Sequence, residues 1–227
     1  MHQKALYNAV KTPKLLVLLG LVICLFTACY EKAATSKNVF SYNEATGIAT
    51  LDPAFAKNQS IMWAVHQIYN TLVEIDSNLN IVPSLAKSWE VSEDRKTYRF
   101  HLRTNVYFTP DEAFKGGTGR KLVASDVAYS LGRIIDKTVA SSGAWIFNGR
   151  VDSVMPFVVI NDSTFELRLQ RPFHPIMGIL STQYCSVVPK EVVEKYGKDF
   201  RRHPCGTGPF LLKSWDEGEA MILHKNK

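Results

Sequence analysis

The chain has 227 residues, 46% of them hydrophobic and 11% aromatic, with a formal net charge of +6. Three lysines stand in the first 28 residues, so the remainder carries 24 Lys and Arg against 21 Asp and Glu, a net of +3, with no basic run interleaved with aromatics. That balance excludes an electrostatic nucleic-acid binder, and the apolar content excludes a disordered chain.

Residues 1–28 contain Lys4, Lys11 and Lys14 and no acid, followed by an apolar run from Leu15 to Phe26 that is too short to cross a bilayer comfortably. This pattern reads as a signal peptide and implies export. The run closes on Leu25-Phe26-Thr27-Ala28-Cys29, small residues before a cysteine, which resembles the lipobox of bacterial lipoproteins. Cys29 is then the lipidated first residue; ordinary secretion with cleavage after Ala28 stays open. Residues 29–38 are polar and short, a tether holding the body off the membrane.

Val39–Tyr42 reads as a first strand, and the loop from Asn43 leads to Leu51-Asp52-Pro53. Gln59–Leu72 begins as a helix: Ile61, Val65, Ile68 and Leu72 recur at helical spacing, and Asn58 or Ser60 is placed to cap it. His66, beside that stripe, reads as a core or boundary residue. Thr71–Asp76 is a short strand, Ser77–Asn80 a turn, and Pro83–Lys87 one turn of helix before Trp89 opens the next strand. A hairpin turns on Glu93–Lys96, after which Tyr98, Phe100 and Leu102 alternate with Arg99, His101 and Arg103, so that one face is buried.

Thr109–Arg120 contains Gly116-Gly117-Thr118-Gly119 but lacks the spacing and the Lys-Ser/Thr ending of a phosphate loop, and reads as a flexible turn. Ser125 caps a helix running to Ile135. Thr138–Gly149 presents Trp145, either on the rim of a binding cleft or as an anchor into the core. Phe157–Ile160 and Phe165–Leu169 form a second antiparallel pair, Phe173–Leu180 a short helix, Cys185–Val188 a strand and Pro189–Tyr196 a helix. Pro209–Trp215 and Ala220–His224 make the last hairpin, turning at Asp216-Glu217-Gly218.

Cys24 leaves with the leader and Cys29 takes the lipid, so Cys185 and Cys205 remain as an even pair in an oxidising compartment, predicting a disulfide worth about 3 kcal/mol in the chain-entropy model. Two separate buried thiols are the alternative. No CxxC, His-Glu-x-x-His or nucleophile elbow is present, and the six histidines are scattered, so neither a metal site nor a cofactor is expected. A secreted hydrolase assembled from scattered residues is the rival of another class.

The ordered set Leu51-Asp52-Pro53, Tyr69–Leu72, Pro83–Glu90, Tyr98–Arg103, Val106-Tyr107-Phe108, Ala124–Ser130 and Gly206–Phe210 resembles the family 5 extracellular solute-binding proteins, the oligopeptide and dipeptide receptors of bacterial ABC importers. The resemblance runs from Val39 to Asn226. Where that family carries a brief His-Asp-Gly turn, this chain has the longer Thr109–Arg120 loop without the histidine, so no role of that turn is carried over. The resemblance implies a mixed α/β fold of the type II periplasmic-binding-protein kind. Its first lobe would comprise 39–58 and 150–227 with 59–149 inserted as a β-rich subdomain, the second lobe being absent.

It further implies a monomeric, lipid-anchored receptor, periplasmic or on the cell surface, that captures short peptides and delivers them to ABC transporter permease subunits. The same family would accommodate a nickel complex, haem or an oligosaccharide. Candidate ligand contacts are Tyr42, Asn43 and Glu44 at the end of the first strand, Trp145, and backbone N–H groups of Gly206, Thr207 and Gly208.

Overall fold

A computed structural model describes residues 38–226. The expected signal peptide, the lipidation at Cys29 and all but the last residue of the tether lie outside the described residues. Residues 38–43 are set apart from the body by their packing and form no regular element, with Val39, Phe40 and Tyr42 exposed. The strand expected at Val39–Tyr42 is therefore not formed: no ladder among the described residues includes it, and an extended segment without a ladder has nothing to hold it as a strand.

Residues 44–226 make one compact unit. Its elements are α1 (Gln59–Ile68), β1 (Val73–Ile75), β2 (Ile81–Pro83), β3 (Ala86–Val91), β4 (Thr97–Leu102), α2 (Ala124–Ile135), β5 (Phe157–Asn161), β6 (Thr164–Arg168), α3 (Ile176–Leu180), α4 (Lys190–Tyr196), β7 (Phe210–Asp216) and β8 (Ala220–Lys225). The central sheet is antiparallel, in the order β3-β4-β6-β5, while β1-β2 and β7-β8 are separate hairpins. The boundary expected between 149 and 150 falls inside this sheet, because β4 pairs with β6 from Thr97↔Arg168 to His101↔Thr164. The two sides of that boundary thus share one ladder and one core.

The alternation read in the sequence places the sheet. Tyr98, Phe100 and Leu102 are buried, as are Phe165 and Leu167 opposite them, and Phe100 meets Phe165 with ring centroids 6.2 Å apart. Helix α2 covers β5 and β6 through Val127, Leu131 and Ile134. On the other face Glu90, Arg99 and Glu166 lie side by side across three strands. Glu166 is buried there because Arg99 Nη2 (2.8 Å) and Arg168 Nη2 (2.9 Å) close over its carboxylate. Burial disfavours its ionisation, but the two guanidinium groups outweigh that and hold the carboxyl below its ordinary range.

Local chemistry corrects several expectations. Pro83–Lys87 makes no helical turn: the Leu85 N–H donates to Thr71 O (3.1 Å) and the Ala86 N–H to Leu72 O (2.9 Å), which keeps this stretch extended. Asn58 does cap α1, its Oδ1 accepting from the Ile61 N–H at 3.0 Å. Helix α2, by contrast, is not capped by Ser125. It begins at Ala124, and Asp126 reaches back to accept from the Val123 N–H at 2.9 Å. In place of a strand at Cys185–Val188 there is a 3₁₀ turn, Gln183–Cys185, followed by extended chain whose Val187 N–H donates to Asn70 O. His66 is exposed rather than buried, facing Gln183 Nε2 at 3.2 Å.

The segment before α1 is held by charge. Arg133 of α2 makes a two-pronged pair with Asp52, Nη1 to Oδ1 at 3.0 Å and Nη2 to Oδ2 at 2.7 Å, with side chains only 10% and 7% exposed. Asp52 Oδ1 also accepts from the Ala54 N–H (3.0 Å), and Arg133 lies over the Phe200 ring. The Leu51 N–H donates to Arg201 O at 2.9 Å. A buried pair that loses one partner leaves the other charge without compensation. Asp52→Ala is expected to lower the unfolding free energy of this body by about 3 kcal/mol, read as a lower urea midpoint at unchanged m-value; a loss below about 0.5 kcal/mol, the range of ordinary surface substitutions, would contradict this role.

Candidate functional site

The residues proposed from sequence fall in three places. Gly206-Thr207-Gly208 forms a tight knot at the C-terminal end of α1. The Gly208 N–H donates to Ile68 O at 2.8 Å, the Thr109 N–H donates to Gly206 O at 3.0 Å, and Thr207 Oγ1 lies 2.9 Å from Asn70 Oδ1. Asn226 Nδ2 closes the knot from the last hairpin by donating to Gly208 O at 2.9 Å. Glycine is required by close approach: a Cβ at Gly206 would stand 2.1 Å from Ile68 O, and one at Gly208 would stand 2.5 Å from Ile68 C.

The knot is sealed by Tyr69, a buried side chain whose Cδ1 would lie 2.8 Å from a Gly206 Cβ. Burial, and then the Asp52 charge, push the Tyr69 hydroxyl well above its ordinary pKa, so it stays neutral. The amide of Gly208 is consumed within the fold rather than offered outward. Thr207, partly exposed, is the member of the trio with a side chain to present. Asn70, Thr109 and Asn226 are the supporting residues that sequence reading did not single out; Asn70 lies inside the Tyr69–Leu72 motif, which was the available signal.

Trp145 sits in a 3₁₀ turn, Ala144–Ile146, and is 62% exposed. Its neighbours Ile146 and Phe147 take the core positions instead, Phe147 meeting Phe157 edge to face at 5.5 Å. Arg150 fastens the turn by donating from Nη1 to Trp145 O (2.6 Å) and Ile146 O (3.2 Å) while its guanidinium lies over Phe173. The ring is thus exposed at the surface and not a core anchor. No hydrogen bond, ion pair or ring contact among the described residues joins Trp145 to the Gly206 knot.

Glu44, partly buried, accepts from Thr46 N (3.0 Å) and Thr46 Oγ1 (2.9 Å) within its own loop. Tyr42 and Asn43 are exposed in the segment before the body.

The Thr109–Arg120 loop is more firmly held than its glycines suggest. Arg120 spans two carboxylates, Asp126 (2.6 and 2.8 Å) and Glu191 (2.6 and 2.7 Å), and lies over the rings of Phe108 and Phe114. A cavity of about 400 Å³ beside it is bordered by Phe114, Lys115, Arg120 and Glu191. Because Arg120 is committed to two carboxylates, this cavity offers little to an anion. Among the described residues no cluster of His, Cys, Asp or Glu could hold a metal ion.

The expected disulfide is not formed. Cys185 and Cys205 are separate buried thiols, each pushed up to about 12 by burial. Cys205 is turned toward Thr109, with Sγ 3.3 Å from Thr109 O and 3.6 Å from Thr109 Oγ1, while Cys185 is fixed in its 3₁₀ turn by an N–H bond to Thr182 O at 2.8 Å. Each buried thiol behaves as a small apolar side chain would.

Residues 80–227 match the family described as Bacterial extracellular solute-binding proteins, family 5 Middle. The chain is 31% identical to the probable ABC transporter periplasmic-binding protein SapA of Escherichia coli K12, over 93% of this chain and 42% of that protein. It is 28% identical to the glutathione-binding protein GsiB of E. coli strain 536, over 92% and 38%. In three dimensions it matches the ABC transporter-associated periplasmic binding protein DppA of Helicobacter pylori, solved in complex with the peptide STSA. The TM-score is 0.69 at 29% identity, covering 79% of this chain and 37% of that one. The mixed helix-and-strand architecture is accordingly that of the type II periplasmic-binding-protein fold. The chain spans about two-fifths of the length of the curated relatives it matches.

Two outcomes check the geometry. Gly206→Ala is expected to cost about 2–3 kcal/mol by overpacking against the α1 terminus, seen as a lower urea midpoint; an unchanged midpoint would contradict the close approach. Without reductant, both Cys185 and Cys205 should resist alkylation in the folded protein and both should label in denaturant. Label at neither after unfolding would mean a bridge exists.

Proposed function

Because the chain belongs to the family 5 bacterial extracellular solute-binding proteins, we propose that it is part of the binding component of an ABC importer, taking up short peptides outside the cytoplasmic membrane and delivering them to permease subunits. The observation that carries this reading is the likeness, over nearly the whole chain, to proteins whose names specify ABC transport and glutathione binding, joined to a fold match with a peptide complex. The family is one of transport proteins rather than enzymes.

In this reading residues 44–226 are the greater part of one lobe of a longer, two-lobed receptor. The relatives extend well beyond the region matched, and capture would be completed by closing a second lobe over the ligand. The first lobe would contribute Thr207 and the loop at Glu44 as polar contacts and, separately, the exposed Trp145 ring as a large contact with little rotamer entropy to lose. Tyr42 and Asn43, exposed in the segment before the body, are proposed as contacts in their own right. An extended peptide is recognised largely through its main chain, with wet pockets tolerating many side chains. Cys29 carries the lipid that keeps this monomeric receptor at the membrane.

The test is thermal unfolding of the protein at the length the cell makes, with a pool of two- to five-residue peptides. A ligand at one hundred times its Kd should stabilise the native state by about 2.7 kcal/mol, visible as a raised Tm. No shift with the pool, and a clear shift with a nickel chelate, haem or an oligosaccharide, would overturn the peptide assignment.

A further inference from the structure

The Trp145 turn carries a second chemical feature. Asn148 is the one asparagine in the sequence that is followed by glycine. Asn148 and Gly149 are both exposed, and Gly149 has φ +67°, in the left-handed region that only glycine adopts freely. Around them the backbone is well bonded: Asn148 N–H to Ala144 O (3.2 Å), Arg150 N–H to Phe147 O (3.0 Å) and Val151 N–H to Phe147 O (3.3 Å). Among the described residues the Gly149 N–H makes no hydrogen bond, and neither does the Asn148 carboxamide.

We propose that Asn148-Gly149 is a site of spontaneous deamidation in the folded protein, the Gly149 amide nitrogen attacking the Asn148 side-chain carbonyl carbon. Three conditions for this reaction meet here: a following residue with no side chain to block approach, a nucleophilic N–H not engaged elsewhere, and a carboxamide open to water. The Gly149 nitrogen gives its proton to solvent base and forms the N–Cγ bond. The Cγ–Nδ2 bond breaks, and nitrogen leaves as ammonia after taking up a proton. Water then opens the five-membered imide at either carbonyl, giving isoaspartate or aspartate, with no change of oxidation state. Either product brings a negative charge beside Arg150, and isoaspartate also lengthens the main chain by one methylene within the turn that presents Trp145.

At other sites these conditions are not met together. Asn161 is followed by Asp162 and uses its Oδ1 to accept from the Ser163 N–H at 2.9 Å, while the Asn226 carboxamide is bound to Gly208 O. The experiment is incubation of the purified chain at pH 8 and pH 5 in ¹⁸O-labelled water, followed by peptide mapping that separates isoaspartate from aspartate. The expected result is ¹⁸O uptake and isoaspartate at 148, faster at pH 8, and several-fold ahead of every other asparagine. Asn148→Gln, which keeps the amide but cannot form the five-membered imide, should abolish the signal at an unchanged unfolding midpoint. Conversion at 148 no faster than at Asn161 in the native chain, or conversion appearing only in denaturant, would overturn the proposal.

Discussion

The buried pair between Asp52 and Arg133 is the constraint on which the body depends. It joins a segment that has no strand pairing of its own to the helix covering the central sheet. Carbonyls and amides follow the charges: Leu51 bonds to Arg201, and Ser141 Oγ donates to Ala54 O. Chain positions some eighty and one hundred and fifty residues apart are thereby fixed around one guanidinium. Such a pair contributes little net stability against an apolar replacement, because desolvation offsets attraction, but its geometry admits few alternatives. It therefore defines where the chain entering α1 must lie.

From there the candidate site follows. Helix α1 ends at Ile68, and its last carbonyls receive the Gly206–Gly208 knot at distances that leave no room for a Cβ. Asn70, Thr109 and Asn226 complete the joint from three other parts of the chain. A site placed on such a joint is held rigidly by the fold, as the proposed binding role requires. The exposed Trp145 turn is held differently, by one arginine and a short ladder of turn hydrogen bonds, and is the more alterable part of the same body.

Much of this was legible in the sequence, and the reasons are local. The period-2 pattern from Tyr98 to Leu102, by burying one face, and the turn residues at Glu93–Lys96 and Asp216–Gly218, by their local backbone preferences, specify hairpins, and each is found where expected. The motifs around Asp52, Tyr69 and Gly206 pointed to the family, which the comparisons bear out. Tertiary contacts decided the rest. Pro83–Lys87 has an ambiguous pattern, and it is extended because Thr71 and Leu72 supply acceptors. The family resemblance implied a subdomain boundary at 149, yet β4 and β6 pair across it. Cysteine counting suggested a bridge, but it carries no information about direction: Cys205 turns to Thr109 while Cys185 is held in its own 3₁₀ turn. Trp145 against Ile146 and Phe147 could not be ordered by hydrophobicity; which of three adjacent apolar side chains points inward depends on the phase of a 3₁₀ turn.

Native-state hydrogen exchange across residues 44–226 reads out whether one cooperative body holds the site. The amides of Leu51, Phe100, Phe165 and Gly208 are expected to open only with global unfolding and to share one free energy. If the amides of β4 stayed protected while those of β6 and Gly208 exchanged at much lower cost, the region before residue 150 would be an independent subdomain. A single cooperative unit over residues 44–226 would then be contradicted.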